Sequence, residues 1–162
     1  MAKKFEDRFL KECFGQFATG VMIATTSYKG INYGLTINSF SSVSLDPALV
    51  LFSIDNNSYN LKFFKKSKKF CLNILNKNQL QIAKEFSKAH NHDKWNVEEF
   101  YFSKNNNPIF KNSRVFIDCK KYKTMKVGDH HIFIGRIVEL EKIERDVVGE
   151  PLFYFGGGFY RF

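Results

Sequence analysis

The chain has 162 residues, of which 44% are hydrophobic and 17% aromatic, with 19 Phe and a single Trp. That length fits one domain over residues 1–162 with a substantial core, and the apolar content excludes a disordered chain. A net charge of +9 and a pI near 9.4 invite an anionic partner, either nucleic acid or a phosphorylated small molecule.

Phe5, Phe9, Leu10, Phe14 and Phe17 recur at helical spacing with charged residues between them, which predicts an amphipathic first helix ending before Thr19-Gly20. The run "VMIATTSYKGINYGLTINSF" reads as two strands joined at a Lys29-Gly30 turn. "ALVLFSI" is a continuous apolar run between Pro47 and Asp55, hence a buried strand, and Ser58 is placed to cap the helix "YNLKFFKKS". The densest basic block, "KFFKKSKKF" from Lys62 to Phe70, reads as the solvated face of that helix running into a strand.

"KFCLNIL" is a further strand and "NQLQIAKEFSKA" a further short helix. From His90 to Pro108 the pattern is polar and irregular, a long loop anchored by Trp95, Phe100, Tyr101 and Phe102, of the kind that often sits over a site. "SRVFIDCKKYKTMKVGDHHIFIGRIVELEKI" holds two or three long strands, with alternation over Val115 to Cys119. The tail "PLFYFGGGFYRF" adds a short strand, three glycines and an aromatic cluster.

Six or seven hairpin-linked strands with two or three short helices, and no βαβ alternation, predict a mainly β protein. The natural architecture is a closed or partly closed antiparallel barrel with peripheral helices. No apolar run is long enough to span a membrane and no leader is evident, so neither a membrane anchor nor secretion is expected. Cys13, Cys71 and Cys119 lack C-x-x-C spacing and are expected to be buried, reduced thiols in the cytoplasm.

The glycines at 156–158 lack G-x-G-x-x-G spacing, and no G-x-S-x-G is present, so dinucleotide-fingerprint, P-loop and serine-nucleophile readings fail. "HNHD", with His90, His92 and Asp93, reads as a solvated loop rather than a metal site. In "GDHHIFIG" a Gly-Asp turn puts His130 at the start of a strand, facing either a cleft or solvent, while His131 points to the opposite face. Thr36, Asn38, Ser39, Ser41, Ser42 and Ser44 crowd one stretch, broken by Ile37, Phe40 and Val43, which are expected to face the core. Those hydroxyls serve either a bound phosphate or ring edge, or their own turns and bulges.

Five ordered blocks resemble the short-chain flavin reductases and their flavoredoxin-like relatives, whose fold is the FMN-binding split barrel. They are "FATGVMIATT", "GLTINSFSSVSLDPALVLFSI", "NSYNLKFFKKSKKFCLNIL" with the following Gln79, "GDHHIFIGRIV" and "PLFYFGGGFYRF", together covering nearly the whole chain. The resemblance implies a six- or seven-stranded Greek-key split barrel and a homodimer with flavin in a groove near the subunit interface. It assigns flavin contacts to Thr36, Ile37, Asn38, Ser39, Ser41 and Ser42, with a second wall at Ser53, Ile54 and Ser58. Phe86 and Lys94 match later flavin contacts, and His130 lies on the nicotinamide side.

The implied activity is an NAD(P)H:flavin oxidoreductase using FMN or FAD, supplying a partner oxygenase, with no nucleic acid, membrane or metal involved. A flavoredoxin-like FMN electron carrier is the rival within the fold, separated from the reductase by steady-state NADH oxidation with free flavin. A basic nucleic-acid-binding barrel is the rival outside it, predicting a colourless protein and salt-sensitive oligonucleotide binding.

Overall fold

The computed structural model of the protein describes residues 5–88, 92–142 and 149–161. Twelve strands form three sheets, β1 (Thr19–Gly20), β2 (Met22–Tyr28), β3 (Ile31–Ile37), β4 (Ser41–Leu45), β5 (Ala48–Asp55), β6 (Lys69–Ile74), β7 (Phe100–Phe102), β8 (Pro108–Phe110), β9 (Val115–Val127), β10 (His130–Lys142), β11 (Phe153–Phe155) and β12 (Gly158–Tyr160). Three α-helices accompany them, α1 (Asp7–Phe14), α2 (Leu61–Lys66) and α3 (Leu80–Ser87).

Seven strands make the main antiparallel sheet in the order β3-β2-β6-β9-β10-β5-β4. Its outer strands, β3 and β4, are consecutive in sequence and joined only through Asn38, Ser39 and Phe40. Four Cα–Cα steps reach at most roughly 15 Å, so the two free edges must lie close and the sheet must curl into a barrel. The barrel is therefore split along one seam, and the hydroxyl-rich stretch is that seam.

Local chemistry sets the elements around it. Lys29 and Gly30 both have positive φ (52° and 77°), the two-residue turn that matches the strand twist of the β2–β3 hairpin. Inside the barrel, Met22, Ala24, Phe52, Ile54, Phe70, Leu72 and Phe133 form the main core, closed at one end by Leu61 and Phe64 of α2. A second core lies outside β2, where Val21 and Ile23 pack on Ile82, Ala83 and Phe86 of α3 and on Phe110. This second layer explains why β2 is buried on both faces.

Gly135 of β10 marks a tight point in the main core. A Cβ there would stand 2.3 Å from Phe70 Cζ and 2.7 Å from Cys119 Cβ. Overpacking of that kind costs about 1–3 kcal/mol, so Gly135→Ala is expected to lower the urea midpoint with little change in m; an unshifted midpoint would show that the strands spread freely here.

Several expectations are corrected. β5 alternates rather than running buried: Val50, Phe52 and Ile54 point inward while Leu49, Leu51 and Ser53 are half-exposed. Val115 to Cys119 does the reverse, buried continuously from Phe116 onward, because the β7–β8 hairpin inside the expected loop lies against its outer side, with Ile109 packed on Phe116. Cys13 is exposed on α1, which buries no residue, while Cys71 and Cys119 are buried. Burial pushes the Cys119 thiol up to about 12 and that of Cys71 well above its usual range, so neither is a nucleophile. No described helix is long and apolar enough to cross a membrane.

Candidate active site at the barrel seam

At the seam the hydroxyls divide into two groups. Thr36 Oγ1 donates to the Ala83 carbonyl at 2.7 Å, tying the end of β3 to α3. Ser39 Oγ accepts the Ser53 N–H at 3.0 Å and donates back to the Ser53 carbonyl at 3.3 Å. That side chain fastens β5 just beyond the last β4 pair, Ser41 with Leu51. Ser41 Oγ donates to the neighbouring Ser42 carbonyl at 3.0 Å. Asn38 and Ser42 are exposed, and no side-chain partner engages either among the described residues.

The apolar residues of the stretch divide as well. Ile37 is buried and Phe40 packs on the main core, as expected. Val43 does not: it is 46% exposed, at the register shift between Ser42 and Ser44. The bulge leaves Val43 unpaired and turns its side chain outward.

A cavity of ≈ 200 Å³ opens against the seam, walled by Thr36, Ile37 and Asn38 on one side and by Tyr154 and Phe159 of the C-terminal hairpin on the other. These two aromatics are not singled out by the sequence, and the neighbouring Tyr160 and Arg161 are exposed. Tyr154 and Phe159 are register partners, and Gly156 and Gly157, with φ of 55° and 87°, make the turn between their strands.

Phe86 and Lys94 meet behind β3. Phe86 is 1% exposed and packs edge-on to Trp95 and Phe110. Lys94 is 5% exposed; its Nζ donates to the Gly34 carbonyl at 2.8 Å and lies 4.7 Å from the centre of the Phe86 ring. Burial lowers this ammonium to about 8. Gly34 permits the arrangement, since a Cβ there would stand 2.8 Å from Phe86 Cε1. Phe86 thus presents its ring to the Lys94 ammonium rather than an open surface.

His130 stands at the start of β10, opposite Asp55 of β5, while Ile132 stands opposite Ser53. Its Nδ1 donates to Asp129 Oδ1 at 2.7 Å, which holds the Asp129 carboxyl below its usual range through that bond and the imidazole's charge. With Nδ1 committed, Nε2 is the nitrogen left to meet a ligand. His131 is buried on the other face, donating from Nδ1 to Asn56 Oδ1 at 2.7 Å. Partial burial, then the charges of Lys65 and Lys126, keep its pKa down.

Asn56, absent from the expected set, organises this corner. Its backbone N–H donates to the Asp129 carbonyl at 2.8 Å and its Nδ2 to the Gly128 carbonyl at 3.2 Å. Its sequence signal is the polar turn "DNNS" that ends β5. Ser58 Oγ accepts the Asn60 N–H at 3.3 Å, one turn before α2, so Ser58 braces the entry while Asn60 occupies the cap position. Ile54 is buried, which leaves its main chain as the part within reach of a ligand.

The metal alternative at His90, His92 and Asp93 falls outside the described side chains. Among the described residues no group of three His, Cys, Asp or Glu is placed to hold a metal ion.

These features make a split antiparallel barrel with unclaimed polar groups along its seam and an imidazole on a nearby strand. Comparison with known proteins identifies which barrel this is. The chain belongs to the flavin reductase like domain family, whose model matches residues 14–162. It is 34% identical over 153 residues to a flavin reductase of Pseudomonas putida, covering 94% of this chain and 88% of that protein. It is 32% identical over 160 residues to a relative from Rhizobium meliloti (strain 1021), covering 98% of this chain; the chain spans 50% of that relative's length. Among solved structures, nitrilotriacetate monooxygenase component B from Mycobacterium thermoresistibile superposes with a TM-score of 0.88 at 33% identity, over 94% of this chain and 84% of that one.

Proposed function

We propose that this protein is an NAD(P)H-dependent flavin reductase, a single domain that binds FMN or FAD at the barrel seam and passes reduced flavin to an oxygenase. The observation that carries the reading is the seam itself. Two strand edges with unpaired backbone groups meet there beside the unengaged Asn38 and Ser42 and the small cavity under Tyr154 and Phe159. A flavin ring edge needs neutral N–H and O–H partners of this kind, and the residues present fit it.

In this reading Thr36, Ile37, Asn38, Ser39, Ser41 and Ser42 form one wall of the flavin groove. Ser53, Ile54 and Ser58 form the other. Ser39 keeps the two walls in register through its bonds to Ser53. Lys94 sets a positive charge behind β3, backed by Phe86, which favours an electron-rich ligand at the seam. Flavin held between these walls would supply the redox chemistry, as the two-electron acceptor for hydride from a reduced nicotinamide. His130, with Asp129 fixing its Nδ1–H, offers Nε2 to orient the nicotinamide or to carry a proton.

The reading extends to a cytoplasmic homodimer. Leu45 is 95% exposed, Val43, Val127 and Leu140 are exposed at separate points on β4, β9 and β10, and α1 buries no residue. Exposed apolar surface on that scale is expected at a subunit contact. The partner oxygenase follows from the relative that is itself a monooxygenase component.

The test is an absorbance titration with FMN and FAD followed by turnover with NADH and NADPH; a protein that stays colourless and oxidises neither nucleotide removes the proposal. Within it, His130→Ala is expected to slow flavin reduction in stopped-flow, or weaken nicotinamide binding, by about tenfold or more. Wild-type rate and affinity in that variant would end the role given to His130.

A further inference from the structure

The strongest charge feature of the chain lies beside the proposed active site and is unused by it. Helix α2 turns Leu61 and Phe64 into the core, which leaves Lys62, Lys65 and Lys66 on its exposed side. Spacings of three and four residues make these ammonium groups neighbours, and like charges so placed repel. None of the three forms an ion pair with a carboxylate among the described residues. Asp55 and Asp129, the acids on the adjoining turns, are engaged by the Asn57 N–H and by His130.

Two more lysines reinforce the field. Lys121 Nζ donates to the Phe64 and Lys65 carbonyls at 3.1 and 2.6 Å, setting a fourth ammonium under the helix end. Lys126 joins Lys65 in holding down the His131 pKa. Positive charge therefore converges on one place where none of these lysines has a carboxylate partner among the described residues.

That place is a cleft of ≈ 600 Å³ lined by Asn56, Ser58, Tyr59, Lys62, Lys65 and Lys66. Lys62 Nζ lies 4.5 Å from the centre of the Tyr59 ring, so a flat aromatic face and a cation stand together at its wall. Asn56 belongs both to this cleft and to the His130 corner, through its bonds to the Gly128 and Asp129 carbonyls. A ligand with its reacting ring near His130 has this cleft as the adjoining space for its distal end.

We propose that the α2 lysine cleft binds the phosphate groups of an adenylate, and so favours ligands that carry an adenosine phosphate beyond the reacting ring. This rests on the flavin reductase reading for the ligand's other end. Two ligands bring the same chemistry, FAD with its diphosphate-linked adenosine and NADPH with its phosphorylated adenosine. Lys62, Lys65 and Lys66 make the ionic contacts, and Tyr59 lines the same cleft.

The experiment is calorimetric titration of the whole protein, without flavin, with ADP and with adenosine 2′,5′-bisphosphate. The combined variant Lys62→Gln, Lys65→Gln, Lys66→Gln is compared with a charge-matched control, Lys11→Gln, Lys104→Gln, Lys111→Gln. Wild type and control are expected to bind at least one probe, and the α2 variant to bind it at least about tenfold more weakly, the equivalent of one lost charge-assisted contact. Absence of binding by wild type, or equal weakening in both variants, overturns the site.

Steady-state KM values then separate the sources. A rise for FAD but not FMN assigns the cleft to the flavin, and a rise for NADPH but not NADH assigns it to the nicotinamide donor. Unchanged KM values for FAD and NADPH, or a uniform rise for all four ligands, overturn the proposal. Probe binding without turnover by any flavin and donor pair leaves the cleft standing and removes the reductase reading. Turnover without probe binding does the opposite.

Discussion

Stability of the wild-type protein is expected to rise between about pH 8 and 10.5, and replacing Lys94 by Met to abolish that rise. The ammonium is lowered from 10.5 to about 8 by burial. Between those values the unfolded chain keeps the proton and the native state has released it, so stability increases with pH through the window. Below about pH 8 both states are charged and the native state bears the full burden, about 3 kcal/mol for a shift of this size. Urea unfolding of wild type and Lys94→Met at several values from pH 7 to 10.5 should give curves that diverge by about that amount across the window. Parallel curves would mean that the buried amine carries no such burden.

The second large effect is structural. Asp118 of β9 is fully buried, and its two oxygens accept hydrogen bonds from Asn105 Nδ2 at 2.8 Å and Asn107 Nδ2 at 2.6 Å. Asn107 Oδ1 is buried without a partner, so that amide is held by its donor side alone. Asp118→Ala removes both acceptors and orphans two amides at about 1–3 kcal/mol each, a combined loss of about 3–5 kcal/mol. The β7–β8 hairpin, whose connecting turn carries both asparagines, should then exchange its amide hydrogens faster than the barrel does. A variant within 0.5 kcal/mol of wild type in urea, a surface-like effect, would show that the clamp contributes little.

Much of the fold was legible because it rests on local periodicity. The Lys29-Gly30 hairpin, the amphipathic helices and the long terminal strands all follow from spacing that the chain carries within a few residues. What escaped depends on distant partners. The inward-outward alternation of β5 is hidden because Leu49 and Leu51 are as apolar as Val50 and Phe52, although only the latter pair face the core. Cys13 sits in an amphipathic pattern, yet α1 finds no described core to cover.

The site divides in the same way. The stretch Thr36 to Ser42 and the His130 turn stand out as polar groups at strand ends, and the structure places both at one corner of the barrel. The tasks within the stretch are not readable from sequence: Thr36 and Ser39 spend their hydroxyls on Ala83 and Ser53, residues 47 and 14 positions away. Phe86 reads as a ligand contact but is core, because its neighbours Trp95 and Phe110 come from other segments. Asn56 and the lysine cleft were missed because a polar turn and a basic helix each look like ordinary surface until the fold sets them beside His130.

The join of Asn38, Ser39 and Phe40 has a mechanical consequence. Elsewhere in the main sheet neighbouring strands are kept in step by hydrogen-bonded ladders, whereas β3 and β4 share none and are related through this tether and the Ser39–Ser53 bonds. β4 takes its register from the ladder with β5, so a residue inserted in the join would be absorbed by the join itself, displacing its own side chains rather than β4. Phe40 would leave its place on the core and Ser39 would lose its hold on Ser53 together. The tether works as a ruler, setting how far the two free edges of the sheet can part.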